Sequence, residues 1–216
     1  KFYVLKVRGF DPNQIVAATI MMEGSKVEVA YQEKNIYALA KQFKGQATGS
    51  ENGRRGYMLT YAIAYIRDFL ADFHIIGETF ETTAPWSKIE VICRTVEARL
   101  KKLHQEFRLP GKPYISYRIT QLYHTGVCIY FMVGVYMKGI QTPEETFAHI
   151  EHSLRKSIIE SGGSISHHHG IGKIRKDFMR DRFSVASIQL LKKVKQSHDP
   201  QNIFGIRNNI FTNDNE

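Results

Sequence analysis

The 216-residue chain is 43% hydrophobic and 24% charged, with a mean hydropathy of −0.31, an ordinary globular composition that excludes a disordered segment or a membrane bundle. Its longest apolar run, residues 127–133, falls far short of the ~20 residues a transmembrane helix needs. The net charge is +9, but the 30 Lys and Arg are scattered from Lys1 to Arg207, with only a loose cluster over residues 173–182. That patterning argues against nucleic acid and for an anionic small molecule or an anionic membrane surface.

Lys1 opens the chain without Met and without a charged-then-apolar leader, as expected of a piece of something longer. Cys93 and Cys128 lie in apolar stretches with no ligand spacing around them, which argues against a disulfide scaffold or a structural zinc site and fits a reducing compartment. Residues 2–7 and 15–22 read as strands, separated by the turn signal Gly9-Phe10-Asp11-Pro12-Asn13. Ser25 offers an N-cap and Glu28 completes a capping box. Val29, Ile36, Ala40 and Phe43 share a face of the helix that follows, and Gly45 closes it. Residues 53–56 mark a further break before a short helix over 58–70 with an apolar face, and residues 73–82 alternate as a strand.

Thr83 and Pro85 open a helix in which Ile89, Ile92, Cys93, Val96, Leu100 and Leu103 hold helical spacing, and Pro110-Gly111-Lys112-Pro113 ends that unit. Strands over 114–123 and 127–138 flank a tight His124-Thr125-Gly126 turn, the strongest hairpin signal in the chain. Thr142-Pro143-Glu144-Glu145 starts a helix with Phe147, Ile150, Leu154 and Ile158 as its buried stripe. A glycine- and histidine-rich segment follows over residues 162–173. A last helix spans roughly 185–196, before Asp199-Pro200-Gln201-Asn202. Strands paired by hairpin, with long helices intervening singly, predict the α+β class: an antiparallel sheet with the helices on one face.

The candidate chemistry starts at His167, His168 and His169. On a glycine-flanked loop, imidazoles can bind a phosphate or carboxylate and move protons near neutral pH. A metal is the competing reading, but no Asp, Glu or Cys lies within five residues to complete a shell, so no metal is expected. Gly170-Ile171-Gly172-Lys173 mimics the end of a phosphate loop. It lacks the first glycine and the Ser or Thr after Lys173, so no nucleotide is implied. His149 and His152 lie opposite the apolar stripe and face water. In the strand over 127–138, Ile129, Phe131, Val133, Val135 and Met137 form an apolar face. Cys128, Tyr130, Met132, Gly134 and Tyr136 form the other, which would line a pocket. Tyr130 there is either packing or a phenol acid/base. Arg67, between Ile66 and Asp68, either pairs with an acid or offers its fork to an anionic substrate, and Arg118 is open in the same way.

Residues 162–176 followed by 190–204 resemble the C-terminal end of the flavin-linked oxidase superfamily, where a glycine-rich loop meets the flavin and a helix precedes an Asp-Pro-x-Asn-Ile stretch. Most of that superfamily places an acidic residue before the loop's His-Gly. The His167-His168-His169-Gly170 form resembles instead the alkyldihydroxyacetonephosphate synthase (alkylglycerone-phosphate synthase) family of ether-lipid enzymes. Residues 2–14, Gly53-Arg54-Arg55-Gly56-Tyr57, Tyr65-Ile66-Arg67-Asp68, residues 77–82, Ala84-Pro85-Trp86 and Cys128-Ile129-Tyr130-Phe131 are similar to that family as well.

The resemblance implies the following expectations. Residues 1–176 would be a cap (substrate) domain cut at its N-terminal side, and residues 177–216 a helix and tail packing against an absent FAD domain. Tyr130 would be the catalytic acid/base, with His167, His168 and His169 as the catalytic histidine motif and Arg67 as the substrate-binding arginine. His168, His169 and Gly170 would touch the FAD, which another domain mainly binds, so that the fragment alone is inactive. The reaction would exchange the acyl group of acyl-dihydroxyacetone phosphate for a fatty alcohol, without net redox. A homodimer, peripheral membrane association and a peroxisomal location also follow, with any targeting signal upstream, because the last residues are not of the Ser-Lys-Leu type. A 2-hydroxy-acid oxidase or dehydrogenase cap, or a non-enzymatic basic module for anions or membranes, are the alternative readings.

Overall fold

The structure, a computed structural model, describes residues 9–11, 14–206 and 208–211. The strand expected over residues 2–7 therefore lies outside the described residues. The chain divides into two units, Lys1–Ile66 and Arg67–Glu216.

In the first unit, residues 15–22 are not a strand. Their β-branched composition is right, but no neighbouring strand among the described residues bonds to them, and Val16 is 88% exposed. Helix α1 (Lys26–Gln42) starts as expected. The Ser25 hydroxyl accepts from the Glu28 N–H, and the Glu28 carboxylate accepts from the Ser25 N–H at 2.7 Å. Its exit differs by one residue. Lys44 takes the left-handed conformation (φ +60°), while the Gly45 N–H reaches back to the Ala40 carbonyl at 2.7 Å. Gly45 is needed for that approach, since a Cβ there would stand 2.9 Å from the same oxygen. Val29, Ile36 and Ala40 are half-buried, whereas Phe43, expected on the same face, is exposed.

The break expected at 53–56 is instead inside helix α2 (Ser50–Met58). There Gly56 permits close packing, a Cβ at that position falling 2.8 Å from Thr19 Oγ1. A 3-10 turn over Leu59–Ala62 leads into α3 (Ile63–Asp72).

The second unit is built on three antiparallel strands, β1 (Ile75–Pro85), β2 (Tyr114–Leu122) and β3 (Gly126–Tyr136), in the order β1-β3-β2. Thr83 and Pro85 stay in β1 rather than opening a helix. A 3-10 turn at Trp86–Lys88 intervenes before α4 (Ile89–Glu106), and the free edge of Thr83 is thereby left for another partner. One sheet face buries Phe80, Ala84, Ile129, Phe131, Val133 and Val135 against α4 and against α5 (Pro143–Glu160). The predicted stripes supply the other half of this core: Ile92, Cys93, Val96, Leu100 and Leu103 from α4, and Phe147, Ile150, Leu154 and Ile158 from α5. Each large side chain so buried contributes ~1.5–3 kcal/mol.

A 3-10 turn (Lys176–Phe178), α6 (Met179–Arg182) and α7 (Val185–His198, capped by Ser184) complete the unit. Asp199 ends α7 by accepting from Lys195 and from the Ile203 and Phe204 N–H groups, which holds its carboxyl down at about 2.

Candidate active-site loop

The opposite sheet face carries the chemistry. Side chains alternate across a strand, so the pairing of Thr79 with Met132, of Glu81 with Tyr130 and of Arg118 with Tyr130 puts these residues on the face away from α4 and α5. The glycine–histidine segment lies against this face and against the free edge of β1. The Ser164 N–H donates to the Thr83 carbonyl at 2.9 Å, and the Thr83 N–H donates to Ser164 Oγ at 2.8 Å. Gly163 must be glycine: a Cβ would sit 2.5 Å from Ile158 Cγ2 and 2.6 Å from Thr82 Oγ1.

Beyond Ser164 the chain wraps around Glu81, which is 1% exposed. Its carboxylate accepts the N–H of His167 (2.5 Å), His168 (3.2 Å) and His169 (2.8 Å), together with the Ser166 hydroxyl at 2.8 Å. Burial by itself raises a carboxyl pKa, but these four donors outweigh it and hold Glu81 at about 2. Glu81 is thus a fixed negative charge around which the loop is built. Sequence reasoning missed it because the two partners are 86 residues apart at His167. The available signal was an acidic residue in a strand directly opposite Tyr130.

The histidine rings point outward from this mooring. Tyr123 Oη lies 2.6 Å from His167 Nε2, and His167 Nδ1 lies 2.8 Å from His168 Nδ1. The indole N–H of Trp86 in turn donates to the Tyr123 carbonyl at 3.0 Å, so the tip of the β2–β3 hairpin is tied to the loop. His168 and His169 flank Tyr130, with ring centroids at 6.0 and 5.4 Å, the first near-parallel and the second edge-on. The Tyr130 hydroxyl donates to Thr79 Oγ1 at 3.0 Å, and the Arg118 guanidinium stands 4.8 Å from the ring centroid, a cation–π contact. Burial lowers the pKa of His169, and the Glu81 charge 3.6 Å away opposes that shift.

Tyr130, His167, His168 and His169 are therefore brought together. Arg67 is not: its side chain on α3 is exposed, with the Asp68 carboxylate 3.9 Å away. His149 and His152 are exposed as expected, edge-on to Phe107 and stacked on Phe178 respectively. A groove of about 810 Å³ beside the loop is lined by Thr83, Pro85, Tyr123, Ile165, His167 and Phe183 among others.

The loop's polarity decides what it can hold. Its N–H groups from His167 to His169 are spent on Glu81 and that of Gly170 on Ser166 Oγ. No backbone cradle for a phosphate remains at these four residues. The outward surface consists of the His168 and His169 rings and the Gly170 backbone, at φ +76° with nothing within 4 Å of a Cβ position. These groups fit contact with one side of a flavin. Cys128, beneath the loop, lies with His167 and His168 in a set of metal-ligand atoms that all fall within 4.8 Å of one another.

The sequence profile of the family described as FAD linked oxidases, C-terminal domain, matches residues 3–207. The chain is 41% identical over 210 residues to an alkyldihydroxyacetonephosphate synthase of Caenorhabditis elegans, covering 97% of this chain and 35% of that protein. It is 26% identical over 214 residues to the Dictyostelium discoideum protein of the same name, covering 98% and 34%. A crystal structure of an alkyldihydroxyacetonephosphate synthase superposes with a TM-score of 0.60 at 20% identity, over 83% of this chain and 29% of that one, which shows the shared α+β fold. The chain spans about a third of the length of the curated relatives it matches. With that profile running through both units and through the histidine loop, the chain belongs to the FAD-linked oxidase family, matching its C-terminal domain.

Proposed function

We propose that the protein carrying this chain is an alkyldihydroxyacetonephosphate synthase, exchanging the acyl group of acyl-dihydroxyacetone phosphate for a fatty alcohol and releasing a fatty acid. The observation that carries the reading is the position of Tyr130 against His168 and His169 on a loop fixed by Glu81. The 41% identity to the nematode synthase supports it.

In this reading the Tyr130 hydroxyl, held by Thr79, exchanges a proton with the carbon being substituted, and the histidines complete the anion site at the loop's outer face. Arg67 stands on α3 outside the Tyr130–histidine cluster, so its forked donor pair would meet substrate oxygens away from the proton transfer rather than at it. The chemistry a bound flavin supplies is an electronic partner for the dihydroxyacetone carbon, so that substitution needs no net redox change. From this chain, His168, His169 and Gly170 would touch it. Residues 177–216 would cover the flavin domain, and the exposed Leu190, Val194, Ile203, Phe204 and Ile206 are what such an interface would bury. A peroxisomal location, a homodimer and peripheral attachment to an anionic membrane belong to the same proposal. Among the described residues no helix is long and apolar enough to cross a membrane.

The test supplies the intact protein with acyl-dihydroxyacetone phosphate and an isotopically labelled fatty alcohol. Labelled alkyl-dihydroxyacetone phosphate is expected. Sustained reduction of a dye acceptor by 2-hydroxy acids, without ether product, would overturn the proposal.

A further inference from the structure

The strand register sets three residues in one row across the face that carries the chemistry. Glu81 on β1, Tyr130 on β3 and Arg118 on β2 are directly paired, and side chains paired in this way share a face. The two charged ends of the row differ. The Glu81 carboxylate is buried and engaged by the loop's N–H groups and the Ser166 hydroxyl. Arg118 is exposed, and its guanidinium carbon stands 4.8 Å from the Tyr130 ring centroid. Among the described residues its side chain makes no hydrogen bond or ion pair. The acid of its own row lies two strand spacings away, ~9–10 Å along the sheet. A positive charge with its donors unspent is thus held against the proposed acid/base.

We propose that Arg118 binds the phosphate of the substrate, holding it beside Tyr130 while the phenol exchanges a proton with the carbon being substituted. The inference rests on the synthase reading for the substrate and adds the group that positions it. In acyl-dihydroxyacetone phosphate only the carbonyl carbon, one methylene and one ester oxygen separate the reacting carbon from phosphorus. A phosphate so close to the reaction needs a cation within one side chain of the acid/base. Arg118 meets that condition, and Arg67 on α3 does not. The loop backbone offers no substitute, since its N–H groups from His167 to Gly170 are committed to Glu81 and Ser166. A guanidinium over an aromatic ring keeps its in-plane N–H donors for a fork onto two phosphate oxygens. Ser116, two residues along β2 on the same face, adds a hydroxyl. Its oxygen accepts from Tyr114 Oη at 3.0 Å, which leaves its proton to donate.

The intact protein is titrated calorimetrically with dihydroxyacetone phosphate, and with dihydroxyacetone as the control without phosphate; neither measurement needs turnover. The parent should bind the phosphate ester and not the control. Arg118→Ala should bind it ~10–100-fold more weakly, with Arg118→Lys in between. Arg94→Ala, an exposed arginine on α4 at the other sheet face, should bind like the parent. In turnover, Arg118→Ala should raise the KM for acyl-dihydroxyacetone phosphate by a similar factor and leave that for the fatty alcohol unchanged, and added guanidinium should restore part of the loss. A parent that binds the phosphate ester but makes no ether product would overturn the synthase reading alone, and the titrations would still decide on Arg118. No binding by the parent, parental affinity in Arg118→Ala, or weakened inhibition by the fatty-acid product in place of weakened phosphate binding would overturn the proposal. So would a rise in both KM values that guanidinium does not relieve, which is the pattern of a structural residue.

Discussion

Tyr130 touches the histidine loop through its ring and Thr79 through its hydroxyl, so its two contributions are separable. In Tyr130→Phe the ring packing persists and a single hydrogen bond is lost, worth ~1 kcal/mol of stability. Steady-state turnover in the intact enzyme should nevertheless fall by ~10²–10⁴, the range for losing a positioned acid or base. A turnover within a few-fold of the parent would pass the role to the histidines. Glu81 makes a different prediction. Its carboxyl sits at about 2 in the folded chain against an ordinary 4.5, so its stabilisation is fully present above about pH 4.5 and is lost as pH falls toward 2. That lowering corresponds to about 3 kcal/mol. Denaturant unfolding should show Glu81→Gln less stable than the parent by that order at pH 7, with the gap closing below pH 4.5. A gap that stays constant down to pH 2.5 would mean that Glu81 does not hold the loop.

At the scale of elements, the loop is seated on the edge of β1 through the Ser164–Thr83 pair, and Gly163 is where the two press closest. Gly163→Ala must push a methyl group into Ile158 and Thr82 and should cost ~1–3 kcal/mol by overpacking, read as a lower thermal midpoint. Gly170→Ala meets open space and pays only for its φ of +76°, so it should cost less. If the order of the two variants were reversed, the loop would not be seated on β1 as described. What was legible in the sequence follows the range of the forces involved. The Ser25–Glu28 box, the stripes of α4 and α5 and the hairpin at His124-Thr125-Gly126 are local patterns, and all three form. Residues 15–22 have strand composition without a bonded strand among the described residues, and Gly53 and Gly56 read as a break because composition cannot tell a glycine inside a helix, such as Gly56 packed on Thr19, from a terminating one. In the site, Tyr130 and the histidines stood out by type and by family resemblance. Glu81, Tyr123 and the approach of Cys128 depend on tertiary contacts that no spacing rule encodes.

For the molecule as a whole, the inward turn of the loop's N–H groups limits what the chain can do by itself. With that backbone committed to Glu81 and Ser166, the loop offers a flavin side chains and one glycine only. The chain expressed alone should therefore retain no stoichiometric flavin through purification. A yellow product with flavin absorbance would contradict this. The +9 charge, spread rather than focused, should give an attachment to anionic vesicles that weakens steeply as salt screens it, and vesicle sedimentation across a salt series would show it. The mooring on Glu81 also has a consequence for motion. Amides in an irregular surface loop ordinarily exchange with solvent deuterium within seconds, but those of His167, His168 and His169 are bonded to a buried carboxylate. They can exchange only when that carboxylate lets go, so the three should behave as one cooperative opening unit, protected like the neighbouring amides of β1 and released together.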